Sequence, residues 1–177
     1  MITTVPPRVV WLVTAAAAAA AVLASLVLTA WLALAPCHLC IFQRLLFMLI
    51  AGLGLLAALT RGLVQGLAGG LIALAAVAGA ASAGYQSWLQ EQPPDSISCI
   101  GGQPGLIERL VEWLGQQAPA LFLATGFCEE KELLILGLSL ANWALLCFFL
   151  ALAAAWWALR RGAGLDQDPG QLGSPGA

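Results

Sequence analysis

Four long apolar segments divide the chain, covering about residues 10–34, 41–59, 66–87 and 135–159. A helix rises about 1.5 Å per residue, so roughly 20 residues cross a hydrocarbon core of about 30 Å. Each segment is long enough to do so. The pattern therefore predicts an all-α membrane protein, with a four-helix transmembrane bundle in a single domain over residues 1–161.

The segment between the third and fourth apolar runs, about residues 88–132, has a different character. It holds four prolines, two cysteines and seven of the nine acidic residues, so it is predicted to be a long loop outside the membrane. Within it, apolar positions over residues 104–115 recur at helical spacing, which predicts a short amphipathic helix on the membrane surface. The Gly/Pro/Asp-rich tail, residues 162–177, is predicted to be disordered.

Four spans place both termini on one side of the membrane. Arginines cluster against the helix ends on that side, and positive-inside logic makes it cytoplasmic: Arg8, Arg61, Arg160 and Arg161. The expected location is a bacterial inner membrane, with the long loop in the periplasm. A cleaved signal peptide fits the first segment less well, because the apolar stretch is about twice the length of a signal core.

Composition agrees with a membrane protein and excludes other classes. The 177 residues are 61% hydrophobic and 9% charged, with a mean hydropathy of +0.91. Soluble domains are about a quarter charged. A net charge of −2 without any basic run gives no reason to expect a nucleic-acid partner.

Four cysteines fall on the outer side of this topology, and they allow three pairings. If Cys37 pairs locally with Cys40, Cys99 remains for Cys128. A static staple suits Cys99–Cys128, because closing a loop of about 30 residues stabilises by roughly 3–4 kcal/mol. The Cys-x-x-Cys spacing of Cys37 and Cys40 is typical of redox or metal sites. The four cysteines could together bind zinc, but oxidation competes with metal binding outside the cytosol.

The surroundings of Cys40 favour reactivity. It begins the second helix, where the helix dipole favours an anion, and Arg44 lies one turn further on the same face. An arginine inside an apolar helix is costly unless it is paired, functional or snorkelling to the interface. We interpret Arg44 as a group that holds a carbonyl oxygen of a lipid-soluble ligand. The chain has no phosphate-binding loop or pair of haem ligands, so a quinone is the expected electron acceptor.

Three other residues are not counted among the predicted site residues. Asn142, inside the fourth segment, is predicted to hydrogen-bond to a neighbouring helix. His38, between the two cysteines, either tunes them or is a spacer. Cys147 is expected to be an inert buried cysteine.

The stretch Pro36-Cys37-His38-Leu39-Cys40-Ile41-Phe42-Gln43-Arg44, together with four spans and paired loop cysteines, resembles DsbB, the disulfide bond formation protein B family. The run from Phe122 to Glu129, followed by Leu136-Gly137-Leu138, is similar to that family's second loop and the entry to its last span. The resemblance covers about residues 9–161. Gln43 departs from relatives that carry an acid there.

The resemblance implies a membrane thiol:quinone oxidoreductase. A periplasmic thioredoxin-fold partner of the DsbA type would be reoxidised at Cys99–Cys128, with Cys99 forming the mixed disulfide. Cys128 would then attack Cys37. Cys40 would contact ubiquinone or menaquinone, held by Arg44. Two alternatives of other classes remain: a non-enzymatic four-span scaffold with structural disulfides, and a redox sensor.

Overall fold

The computed structural model describes residues 6–92, 105–128 and 133–165. Within them the chain forms six helices and one two-stranded hairpin: α1 (Pro7–Trp31), α2 (His38–Leu59), α3 (Leu63–Leu89), α4 (Leu106–Gln117), α5 (Pro119–Phe122), β1 (Leu134–Ile135), β2 (Leu138–Ser139) and α6 (Leu140–Leu165).

Four of these helices are long and apolar enough to cross a membrane, namely α1, α2, α3 and the Leu140–Arg161 part of α6. Their most apolar windows have mean hydropathies of 2.2, 2.1, 1.9 and 1.8, respectively. The predicted class, a helical membrane protein with four spans, is confirmed.

The four long helices form one bundle in which α1 packs on α2, α2 on α3, α3 on α6, and α6 on α1. Connections of a few residues join the first three helices, so neighbours run antiparallel. The largest fully buried side chains include Trp11, Ile50, Ile72 and Phe148. Phe47 of α2 stacks on Phe148 of α6, with ring centroids 4.1 Å apart, and this pair joins opposite helices through the core.

The fourth span differs from its predicted limits at both ends. Residues 134–139 form the β1–β2 hairpin, so α6 begins at Leu140 instead of about residue 135. Leu136 and Gly137 make its turn with φ of 53° and 81°, the left-handed conformations that a two-residue hairpin requires. At the other end the helix continues through Leu165, into the segment predicted to be disordered. Residues 166–177 lie outside the described part of the chain.

Helix α4 occupies the part of the long loop for which helical spacing predicts a short amphipathic helix. Pro104 lies outside the described residues, and Gly105 precedes the first turn, where its N–H donates to the Glu108 carboxylate at 2.8 Å. The buried face of α4, centred on Val111, packs with Phe122 against Ile41 of α2. Part of the apolar face is thus covered by the bundle, whereas Leu106 is 86% exposed.

Gly79 of α3 lies against the ring of Phe148 of α6. A Cβ built there overlaps the ring of Phe148, whereas one built at Gly66 of the same helix meets no atom within 4 Å. The hydrogen side chain of Gly79 therefore makes room for the Phe47–Phe148 stack.

We expect Gly79→Ala to destabilise the fold by about 1–3 kcal/mol, because the stacked rings must move. Gly66→Ala is the matched control, and it should be neutral or stabilise by up to about 1 kcal/mol through helix propensity. Thermal unfolding in detergent micelles, followed by tryptophan fluorescence, measures both. A Gly79→Ala protein that melts no lower than Gly66→Ala would contradict this packing.

Candidate functional site

The Cys37–Cys40 pair is held by the first turn of α2. Cys37 is the N-cap residue, with extended φ and ψ of −82° and 170°, and its sulfur accepts from the Cys40 backbone N–H at 3.5 Å. A thiol at an N-cap satisfies one of the open N–H groups of a helix start. The Cys37 and Cys40 sulfurs lie 3.2 Å apart, so they are thiols in hydrogen-bond contact here.

Cys128, from the end of the long loop, joins this pair. Its side chain hydrogen-bonds to Cys37 and to the backbone at Leu39, and it packs with Leu89 of α3. The structure therefore brings together three of the four predicted site cysteines. The fourth, Cys99, lies outside the described residues.

A close approach of two loops brings Cys128 to Cys37. The backbone N–H groups of Thr125 and Gly126 both donate to the Pro36 carbonyl, at 2.9 and 3.2 Å. A Cβ built at Gly126 overlaps the Ala35 carbonyl oxygen. Only a glycine lets the 125–128 segment cross the α1–α2 connection this closely.

The two contacting thiols differ in acidity. The hydrogen bond from Cys37 lowers the pKa of Cys128, although burial opposes this effect. The pKa of Cys37 is raised well above that of an ordinary thiol, because its hydrogen bond to Cys128 and its contact with Cys40 both favour the protonated form. Cys128 is therefore the more acidic thiol of the pair.

Arg44 lies in the second turn of α2 and is only 6% exposed. Its Nε donates to Ser25 Oγ at 2.8 Å and its Nη2 to Thr29 Oγ1 at 3.1 Å, both on α1. Its Nη1 donates to the Leu121 carbonyl of α5 at 2.8 Å. The guanidinium of Arg44 is thus held inside the protein, whereas a snorkelling arginine would reach the membrane interface. Its three partners are neutral oxygens.

Two buried glutamines complete the surroundings of the sulfurs, and the sequence interpretation assigned them no role. Gln86 of α3 donates from Nε2 to the Cys40 sulfur at 3.0 Å and to the Cys37 sulfur at 3.5 Å. Its Oε1 accepts from Gln43 Nε2 at 2.8 Å. In the sequence, the signal for Gln43 and Gln86 is that each is a polar residue within an apolar span, as Asn142 is.

Cys40, Arg44 and the two glutamines line a cavity of about 290 Å³ between the four long helices. Its apolar wall includes Val22, Leu28, Phe47 and Ala144, and the β1–β2 hairpin contributes Ile135 at one side. Cys147, predicted to be inert, also lines this cavity. The space offers a buried cation and a thiol to an apolar molecule.

Two other predicted residues lie away from the sulfurs. Asn142 Oδ1 accepts from Ser87 Oγ of α3 at 2.8 Å, which confirms the predicted bond between helices. His38 lines a separate cavity of about 230 Å³ beside α4, with Glu112 and Phe122.

Fold and site define a four-span membrane protein with a thiol cluster at one end of its bundle. The family model for "Disulfide bond formation protein DsbB" matches residues 7–158. A disulfide bond formation protein B from Dechloromonas aromatica is 48% identical over 118 residues, 65% of this chain and 69% of that protein. One from Azoarcus sp. is 39% identical over 126 residues, 70% of this chain and 75% of that protein.

The chain belongs to the DsbB family, as its resemblance to that family indicated. Membership makes it a membrane oxidoreductase of disulfide bond formation.

The lowered pKa of Cys128 leads to a prediction about thiol labelling. In reduced protein with Cys99→Ser and Cys147→Ser, iodoacetamide should modify Cys128 before Cys37 at every pH from about 6 to 9. A thiolate with a depressed pKa persists as the pH falls below the range of ordinary thiols, near 8.5. Removing the donor in Cys37→Ala should raise this pKa and slow labelling at pH 7 several-fold. Peptide mass spectrometry reads each site; an unchanged Cys128 rate would contradict the hydrogen bond.

The close approach at Gly126 leads to a second prediction. In protein that keeps only Cys37 and Cys128, mild oxidation should cross-link these two residues rapidly. Gly126→Ala should slow cross-linking about 10-fold or more, because a Cβ displaces the loop from Ala35. Gly105→Ala, at a loop position with open space, is the control. Equal cross-linking rates in the two variants would show that the close approach does not position Cys128.

Proposed function

We propose that the protein reoxidises a periplasmic thioredoxin-fold dithiol protein of the DsbA type and passes the two electrons to a membrane quinone. The observation that carries the proposal is the contact of Cys128 with Cys37, directly above a cavity that Cys40 and Arg44 line. The sulfurs of Cys128, Cys37 and Cys40 would connect the long loop, where a protein partner can bind, to a cavity suited to an apolar electron acceptor.

The first exchange takes place in the long loop. A thiolate of the partner attacks Cys99 of a Cys99–Cys128 disulfide, a mixed disulfide forms, and Cys128 leaves with the electron pair as a thiolate. The partner's second thiol then attacks the mixed disulfide. The oxidised partner departs, and Cys99 is released as a thiolate.

The second exchange uses the observed contact. The Cys128 thiolate attacks Cys37 of a Cys37–Cys40 disulfide; the new bond is Cys37–Cys128, and Cys40 leaves as a thiolate. The Cys99 thiolate next attacks Cys128, which restores Cys99–Cys128 and frees Cys37. One partner disulfide has formed, and Cys37 and Cys40 hold the two electrons.

The cavity fits the proposed acceptor. A guanidinium has five N–H groups, and three of those of Arg44 are used within the described part of the chain. The remaining two suit a carbonyl oxygen, while the apolar wall suits a ring and its tail. The chemistry that a quinone supplies when bound is the acceptance of two electrons and two protons. Ubiquinone and menaquinone both satisfy this donor set.

We also propose an inner-membrane location with both termini in the cytoplasm. The basic residues Arg8, Arg61, Arg160 and Arg161 flank the bundle at the end opposite Cys37. There Arg160 lies over the Trp156 ring at 4.2 Å, and Arg161 over Trp157 at 4.7 Å. Arginine with tryptophan at a helix end is typical of a cytoplasmic membrane boundary.

Quinone reduction over many turnovers tests the proposal. Purified protein with a reduced DsbA-type substrate should consume many equivalents of a short-chain ubiquinone, followed by its ultraviolet absorbance. Cys37→Ser should abolish turnover. Arg44→Ala should lower turnover about 10-fold or more at limiting quinone, and Arg109→Ala, which removes an exposed arginine of α4, should not.

Cys99→Ser separates the two exchanges. It should block transfer from the partner while Cys37 and Cys40 can still be oxidised by quinone. A sensor would turn over at most once per molecule, and a scaffold not at all. Either result, or quinone turnover that survives Cys37→Ser, would contradict this electron relay, in which the two disulfide exchanges carry electrons from the partner to the quinone.

A further inference from the structure

The side-chain amides of two buried glutamines are linked by hydrogen bonds to each other and to the cysteine sulfurs. Gln86 is 3% exposed and Gln43 is 5% exposed, so both side chains are buried. A buried amide is costly unless it is hydrogen-bonded. Here the amides form a chain in which Gln43 Nε2 donates to Gln86 Oε1, and Gln86 Nε2 donates to the sulfurs of Cys40 and Cys37.

The hydrogen bonds of these two amides all run in one direction, from Gln43 through Gln86 to the sulfurs. An amide has a donor end and an acceptor end. Gln43 presents its donor end, which engages the Gln86 oxygen and turns the Gln86 nitrogen toward the sulfurs. A thiolate or a disulfide sulfur has no hydrogen and can only accept, so this orientation suits the pair in its anionic and oxidised states.

The two sulfurs share the Gln86 amide as a donor, which is closer to Cys40, and the Cys37 sulfur has a backbone donor as well. The Cys37 sulfur accepts from the Cys40 backbone N–H at the start of α2. The Cys40 sulfur is one turn further along and faces the apolar cavity, where the Gln86 amide reaches it at 3.0 Å. The nearby Arg44 directs three of its N–H groups to oxygens on Ser25, Thr29 and Leu121.

We propose that Gln86 is a catalytic residue whose amide stabilises the Cys40 sulfur as an anion, and that Gln43 is a positioning residue that fixes the direction of this amide. The proposal rests on the proposed function and deepens it. When Cys128 bonds to Cys37, the Cys37–Cys40 bond breaks and Cys40 takes the electron pair.

A hydrogen bond to a charged acceptor is about twice as strong as one to a neutral acceptor. The hydrogen bond from Gln86 therefore strengthens as negative charge develops on the Cys40 sulfur. It stabilises the transition state for cleavage of the Cys37–Cys40 disulfide more than it stabilises the intact disulfide. Disulfide exchange is faster when the leaving thiolate is stabilised. Because an amide does not titrate, the donor stays available at any pH at which the protein is folded.

The test measures Cys40 reactivity without a partner or a quinone. In protein whose only cysteine is Cys40, the iodoacetamide rate at pH 7 reports the thiolate population. We expect Gln86→Leu to lower this rate about 10- to 100-fold, the loss of a hydrogen bond to a charged group. Gln65→Leu is the matched control, since Gln65 of α3 donates to the Ala57 carbonyl at the other end of the helix.

Two substitutions of unchanged shape keep the test decisive if Gln86→Leu does not fold. Gln43→Glu removes the donor that holds the Gln86 oxygen. The Gln86 amide should then turn its nitrogen to the carboxylate and its oxygen to the sulfur, which slows alkylation about 3- to 10-fold. Gln86→Glu places an acid against Cys40 and should slow alkylation further than Gln43→Glu.

Rates for Gln86→Leu and both Glu variants within two-fold of Gln65→Leu would overturn the proposal. Quinone turnover with a DsbA-type substrate is measured on the same glutamine variants with all cysteines present. If the native protein shows no turnover but Gln86→Leu still slows Cys40 alkylation, the relay fails and the role of Gln86 in holding the anion stands. If turnover is present and alkylation is unaffected, the relay stands and the role of Gln86 fails.

Discussion

The burial of Arg44 is the constraint on which the arrangement of this protein depends. A guanidinium inside an apolar bundle costs several kcal/mol unless its donors are satisfied. Arg44 uses three of them on two separate parts of the chain, at Ser25 and Thr29 of α1 and at the Leu121 carbonyl of α5. The same side chain that lines the cavity thus ties the long loop to the first span. Loop position and cavity geometry are therefore coupled through one group.

The thiol cluster depends on a comparable connection on its other side. The Pro36 carbonyl accepts from Thr125 and Gly126, which seats Cys128 against Cys37. The hydrogen bond between these sulfurs lowers the pKa of Cys128 and raises that of Cys37. The end of the long loop is thus held at two places. Thr125 and Gly126 bind the Pro36 carbonyl, and Arg44 binds the Leu121 carbonyl of α5.

The sequence was sufficient for features that depend on local pattern. Apolar runs gave the four spans, and spacing along one helix placed Cys40 and Arg44 on a common face. It was insufficient at the start of α6, because the apolar hairpin residues Leu134, Ile135 and Leu138 continue the hydropathy of the span. Only the left-handed turn at Leu136–Gly137 separates hairpin from helix.

Contacts between distant segments were also beyond the sequence. The amphipathic spacing of α4 indicates that one face is apolar, but not that Ile41 of α2 covers it. Likewise, Gln86 is separated from Cys40 by a whole helix hairpin, and no local pattern joins them. Such contacts depend on how the helices pack and on which glycines permit it, as at Gly126.

The cavity makes the two halves of the bundle mechanically unequal. Toward the opposite end, Trp11, Ala57 and Ala158 are nearly inaccessible and the helices are in continuous contact. On the cysteine side, α1 and α6 face each other across about 290 Å³ of space. Regions with fewer buried contacts open at lower free energy than a packed core. Sub-global fluctuations should therefore part α1 from α6 beside the cysteines, which gives an apolar molecule a lateral route from the lipid while the packed half preserves the fold.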